Sequence, residues 1–201
     1  MYNPILLDYS LNSLEPYLDY DTLNIHYNKI YKELLNNLNK ILKENNYSFD
    51  HSLRYLIKNI DMFPLSIRGE ILYYLSAVLN HNLYFYNISP KKNNLPVGKI
   101  KEDINKNFGS FANFKNEFIN IASNLKGSGY TFLVKDSNNQ LKIINTSNED
   151  SPYSYNFTPI LVLDMWEHAY FLKYKNKKEE YIRNYFNVID FEKINKYYES
   201  I

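Results

Sequence analysis

The sequence predicts an α+β fold: an N-terminal antiparallel helical hairpin followed by a C-terminal α/β domain with a three-stranded antiparallel sheet. Three observations predict it. Apolar residues recur at helical spacing over two long stretches, about 23–42 and 65–87. A polar, proline-bearing segment at 89–98 then interrupts the periodicity. Beyond it lie three short apolar or aromatic runs, 130–134, 141–144 and 159–163, with a cluster of turn residues between the first two. The division this implies is 1–88 for the helical hairpin and 96–201 for the α/β part.

Each element has its own reason. Pro4 and Pro16 among short apolar runs suggest an extended arm up to about Asp19. Asp21-Thr22 reads as a capping pair for a long helix whose apolar positions are Leu23, Ile30, Leu34, Leu35, Leu38, Ile41 and Leu42. Asn45-Asn46-Tyr47-Ser48 ends it, a short helix fits 52–59, and Phe63-Pro64 closes the connection. Ile67, Ile71, Leu72, Leu75, Val78 and Leu79 then mark a second long helix that pairs antiparallel with the first. After the boundary, helices are expected near 99–107 and 111–125, followed by a turn at Gly127-Ser128-Gly129. Asp136-Ser137-Asn138-Asn139 turns a hairpin, Pro159 to Leu163 forms the third strand, and a helix-rich tail with mixed charges completes the chain.

Composition removes several function classes. With 201 residues and 45% hydrophobic content the chain can bury a sizeable core. A net charge of +1 without a basic stripe argues against nucleic acid as a partner. No apolar run approaches the roughly 18 residues of a membrane span, and Met1-Tyr2-Asn3-Pro4 does not resemble a signal peptide, so no membrane partner and a cytoplasmic location are expected. Without cysteines, any metal must be held by His, Asp or Glu.

The stretch from Pro159 to Tyr170 concentrates the chemistry. Asp164 ends a buried strand, and His168, four residues on, can turn back to the same point, as a site for iron, manganese or zinc requires. The same spacing also suits a surface ion pair. His26, on or beside an apolar helix face, and His81, near a helix end, read equally well as structural imidazoles.

Asp164-Met165-Trp166-Glu167-His168-Ala169-Tyr170 closely resembles the D-x-W-E-H-A-Y signature of the iron/manganese superoxide dismutase family. The likeness continues in order along almost the whole chain, through Ile25-His26, Asn80-His81, Gly127-Ser128-Gly129-Tyr130 and Asn148-Glu149-Asp150-Ser151-Pro152. The resemblance implies that His26, His81, Asp164 and His168 bind one iron or manganese ion per subunit, two ligands coming from each part of the fold. It implies superoxide as substrate, converted to dioxygen and hydrogen peroxide by redox cycling of that ion, and catalytic roles at Glu149 and Tyr170. It also implies a homodimer joined through Glu167 and His168.

The chain departs from the family pattern around the site. Leu34 stands where the family has a proton-relaying tyrosine, and Ile30 where a histidine reaches a tyrosine of the partner, so Tyr170 lacks that contact. Ala77 and Glu149 occupy the two positions from which family members supply a glutamine. An ionised Glu149 has no hydrogen to donate. These departures leave a second expectation beside the enzyme, a metal-binding or structural homologue with weak or no dismutase activity.

Overall fold

A computed structural model describes residues 1–91 and 94–201. The boundary expected at 89–98 includes Lys92 and Asn93, which lie outside the described residues. After the N-terminal arm, which buries Leu14 and Leu18, comes α1 (Tyr20–Ile25). It runs through a π-helical turn (His26–Tyr31) into α2 (Lys32–Glu44). The cap is Asp19 rather than the Asp21-Thr22 pair: its carboxylate accepts from the Thr22 N–H at 3.0 Å. The π turn is absent from the sequence expectation, which assumed one uniform helix. Its wider spacing brings His26, Tyr27 and Tyr31 to the buried side, while Ile30 and Leu34 are only half-buried.

Helix α3 (Leu53–Lys58), capped by Ser52, leads to α4 (Leu65–Asn87), which matches the second expected helix. Leu35, Leu38 and Leu42 on α2 and Ile71, Leu75 and Val78 on α4 are buried in the same core, making the expected helical hairpin. Helices α5 (Gly98–Phe108) and α6 (Phe111–Ser123) follow. Then come β1 (Gly129–Lys135), β2 (Leu141–Ser147) and β3 (Thr158–Asp164), an antiparallel sheet in the order β2-β1-β3. Gly129 opens β1 because β2 passes close beside it: an added Cβ would lie 2.0 Å from the Thr146 carbonyl oxygen. A 3-10 turn (Glu167–Ala169), α7 (Phe171–Tyr174), α8 (Lys178–Tyr185) and α9 (Phe191–Glu199) complete the chain.

The packing of β3 explains how the two halves meet. As an edge strand it offers backbone groups with no strand partner, and side chains supply the partners instead. The Asn87 amide nitrogen, at the end of α4, donates to the Ile160 carbonyl at 3.3 Å, and its oxygen accepts from the Val162 N–H at 3.1 Å. On α8, the Tyr185 hydroxyl donates to the Val162 carbonyl at 2.6 Å and the Tyr181 hydroxyl to the Asp164 carbonyl at 2.8 Å. Helix α4, which carries His81, is thereby tied to the strand that ends in Asp164. Among the described residues no helix is long and apolar enough to cross a membrane.

Candidate metal centre

Four elements deliver four side chains to one point. His26 comes from the π turn, His81 from α4, Asp164 from the end of β3 and His168 from the 3-10 turn that follows. One potential ligand atom from each lies within 4.8 Å of all the others, so the group can hold one metal ion. The Asp164 Oδ2 atom lies 3.1 Å from His26 Nε2, 3.1 Å from His168 Nε2 and 3.8 Å from His81 Nε2. His26, His81 and Asp164 are fully buried, whereas the His168 side chain is 17% exposed.

The donor set fits a cation. His81 Nδ1 is 2.8 Å from the Ala77 carbonyl, which can only accept, so that nitrogen carries the hydrogen and Nε2 presents a lone pair. Nε2 of His81 has no hydrogen-bond partner, and neither nitrogen of His26 has one. Asp164 Oδ2 approaches His26 Nε2 to 3.1 Å without forming a hydrogen bond of good geometry. Buried polar atoms left unpaired are costly, and a metal ion among them removes that cost. The other oxygen, Asp164 Oδ1, accepts from the Trp166 N–H at 2.8 Å, which fixes the carboxylate plane.

Electrostatics give the same ligand states. Burial pushes His26 down to about 4 and His81 to about 3, so both are neutral near pH 7. Burial works against the Asp164 charge, but His168 and His26 outweigh it and hold the carboxyl well below its usual range. For His168, burial opposes the proton, and the adjoining Asp164 more than compensates, so its pKa is raised. Two neutral imidazoles and a carboxylate are thus ready for a cation, while the pull of Asp164 on the His168 proton is what a metal ion at that nitrogen would have to overcome.

Glu149, in the segment after β2, is almost completely buried and accepts from the Tyr130 hydroxyl at 2.7 Å. Burial raises its pKa from 4.5 to about 7, the Tyr130 hydrogen bond offsets part of the rise, and the Asp164 charge adds to it. Asn80 Nδ2, one residue before His81, donates to the Glu149 and Asp150 carbonyls at 3.2 Å each and binds this segment to α4. A cavity of about 460 Å³ between α4 and residues 148–155 reaches Glu149 and Trp166. The Tyr170 ring stacks on Tyr181 at 5.1 Å, and the Asp164 charge adds to the rise that burial causes in its pKa.

Several neighbours escaped the sequence reading. Tyr31 stacks on His81 at 6.0 Å, and Tyr84 lies 5.0 Å from His26, both by ring centroids. Tyr31 was hidden because a regular helix does not predict the π turn. Tyr130, by contrast, is legible in the sequence as the end of the Gly127-Ser128-Gly129-Tyr130 stretch shared with the family, whereas the contact of its hydroxyl with Glu149 is not.

Comparison with known proteins agrees with this geometry. The sequence model for the alpha-hairpin domain of iron/manganese superoxide dismutases matches residues 1–89, and the model for their C-terminal domain matches residues 96–197. The chain belongs to the iron/manganese superoxide dismutase family. It is 37% identical over 194 residues to a manganese superoxide dismutase of Listeria monocytogenes, with 96% of each chain covered. A manganese/iron superoxide dismutase of Staphylococcus aureus is 36% identical over 194 residues, again with 96% of each covered. A manganese superoxide dismutase of Leptolyngbya boryana is 36% identical over 198 residues, which span 98% of this chain and 79% of that protein. The fold of the family, a helical hairpin followed by a part built on a three-stranded antiparallel sheet, is the fold seen here.

Proposed function

We propose that the protein is a superoxide dismutase whose single iron or manganese ion is held by His26, His81, Asp164 and His168. The observation that carries this reading is the convergence of four ligand atoms from four elements, three of the side chains fully buried, in a chain of this family. When bound, the ion supplies an electron acceptor for one superoxide and an electron donor for a second, giving dioxygen and hydrogen peroxide. The chain's own groups orient and protonate. The Ala77 carbonyl fixes the His81 tautomer, and the Trp166 N–H fixes Asp164. Glu149, with a pKa near neutrality, carries an exchangeable proton beside the site, and the Tyr130 hydroxyl holds its Oε2 in place. Tyr170 acts as a positioning residue through Tyr181, whose hydroxyl binds the main chain at Asp164.

The proposal includes a two-fold homodimer. Helix α1 lies against the 167–169 turn and α7, and Tyr20, Ile25, Phe171 and Leu172 expose apolar surface around Glu167 and the partly exposed His168. Glu167 is proposed to bond across this surface to the partner's ligand histidine. An antioxidant role in the cytoplasm completes the reading, and cell fractionation tests the location. The central experiment is metal analysis and a dismutase assay on the same purified sample. Activity should track iron or manganese content, and a loaded protein no more active than free metal would refute the proposal.

A further inference from the structure

The outer face of α4 carries an arrangement that the metal centre does not use. Leu79 and Leu83, one turn apart, are only half-buried, while Ala77, His81 and Phe85 face the interior. With Ile5 of the N-terminal arm they line a groove of about 650 Å³, within the range of small-molecule sites. Among the described residues Arg54, from α3, is the one charged residue in this mostly apolar lining.

Arg54 is held in an unusual way for a charged residue. Its guanidinium carbon lies 5.7 Å from the Tyr153 ring centroid and 5.3 Å from that of Tyr197. Nη2 donates to the Tyr197 hydroxyl at 2.8 Å, and that hydroxyl donates to the Pro159 carbonyl at 3.2 Å, so the aromatic support is tied to β3. Among the described residues no carboxylate forms an ion pair with Arg54, although the chain's other arginine in the N-terminal half, Arg68, binds Asp61 at 2.6 Å. A guanidinium offers five N–H donors in a planar fork suited to a carboxylate. Here the fork is oriented by two rings, its charge has no acidic partner, and an apolar wall lies beside it.

We propose that this groove is a binding site for a planar aromatic carboxylate, with the carboxylate on Arg54 and the ring against Leu79 and Leu83. The two tyrosine rings fix the guanidinium before the ligand arrives, which lowers the ordering cost of binding. Tyr197, Asn82 and Ser52 in the lining offer further polar contacts at the rim. The site lies on the opposite face of α4 from His81 and does not depend on the metal reading.

The test is titration of the full-length, metal-loaded protein with 2-naphthoate, read by calorimetry and by amide shifts in isotope-labelled protein of the same metal content. Saturable binding is expected with Kd of about 1 mM or tighter, the range set by the ligand's size. The neutral amide, 2-naphthamide, should bind roughly ten-fold more weakly, since it lacks the charge that Arg54 complements. Arg54→Gln should weaken naphthoate by a similar factor at unchanged metal content and circular dichroism. Amide shifts should gather at residues 53–54, 79–83 and 197. No saturation below about 10 mM, equal binding of acid and amide, or shifts gathered at another surface would overturn the proposal. The acid-against-amide comparison needs no variant, so a failure of Arg54→Gln to fold does not remove the test.

Discussion

Glu149→Gln isolates the energetic consequence of a carboxyl group buried beside the centre. Glu149 is 5% exposed, and its pKa rises from 4.5 in the unfolded chain to about 7 in the fold, chiefly because burial strips the charge of water. A raised pKa means that the folded protein holds this proton more tightly than the unfolded chain does. Stability from this group is therefore intact below pH 4.5, declines as pH rises, and is lost once pH passes about 7. At about 1.4 kcal/mol per pH unit, the ionised carboxylate costs about 3 kcal/mol. Glutamine keeps an oxygen to accept from the Tyr130 hydroxyl at this position and carries no charge. The variant should gain about 3 kcal/mol at alkaline pH and little near the carboxylate's unfolded pKa. Urea denaturation of the metal-free protein at the two pH values, at one protomer concentration, measures both. An equal effect at the two pH values, or a loss on the alkaline side, would refute the assignment of the cost to a buried charge.

Three further predictions follow from the same geometry. Asp164→Asn removes the anion around which the three histidines gather, and retained iron or manganese per chain should fall at least ten-fold by elemental analysis with helical circular dichroism preserved. Tyr181→Phe leaves the Asp164 carbonyl without its 2.8 Å hydroxyl partner and should cost about 1–3 kcal/mol in chemical denaturation. Glu167→Ala should weaken the proposed dimer in sedimentation velocity while leaving the monomer folded; an unchanged dimer would show that this carboxylate is dispensable.

The legible part of the protein was the part written in local pattern. The second long helix emerged with its bounds because its apolar spacing runs unbroken to the polar segment that follows. The hairpin turn at Asp136–Asn139 was equally plain, since Asp136 Oδ1 accepts from the Asn138 and Gln140 N–H groups, a local bond that such residues make. The first helix is less legible. Its uniform period concealed a π turn, and its true cap was two residues earlier than expected.

The sequence by itself determined the long helices, the three strands and the helices-then-sheet order; it joined His26, His81, Asp164 and His168 into one group only through the family resemblance. Only the tertiary structure decided how these residues meet. Asn87 acts as a surrogate strand partner for β3, Tyr130 holds Glu149, and Arg54 is fixed between two tyrosines. Those contacts join residues from 19 to 143 positions apart, where no local periodicity acts. Hydrogen-bond satisfaction and burial select them, and both are properties of the assembled core.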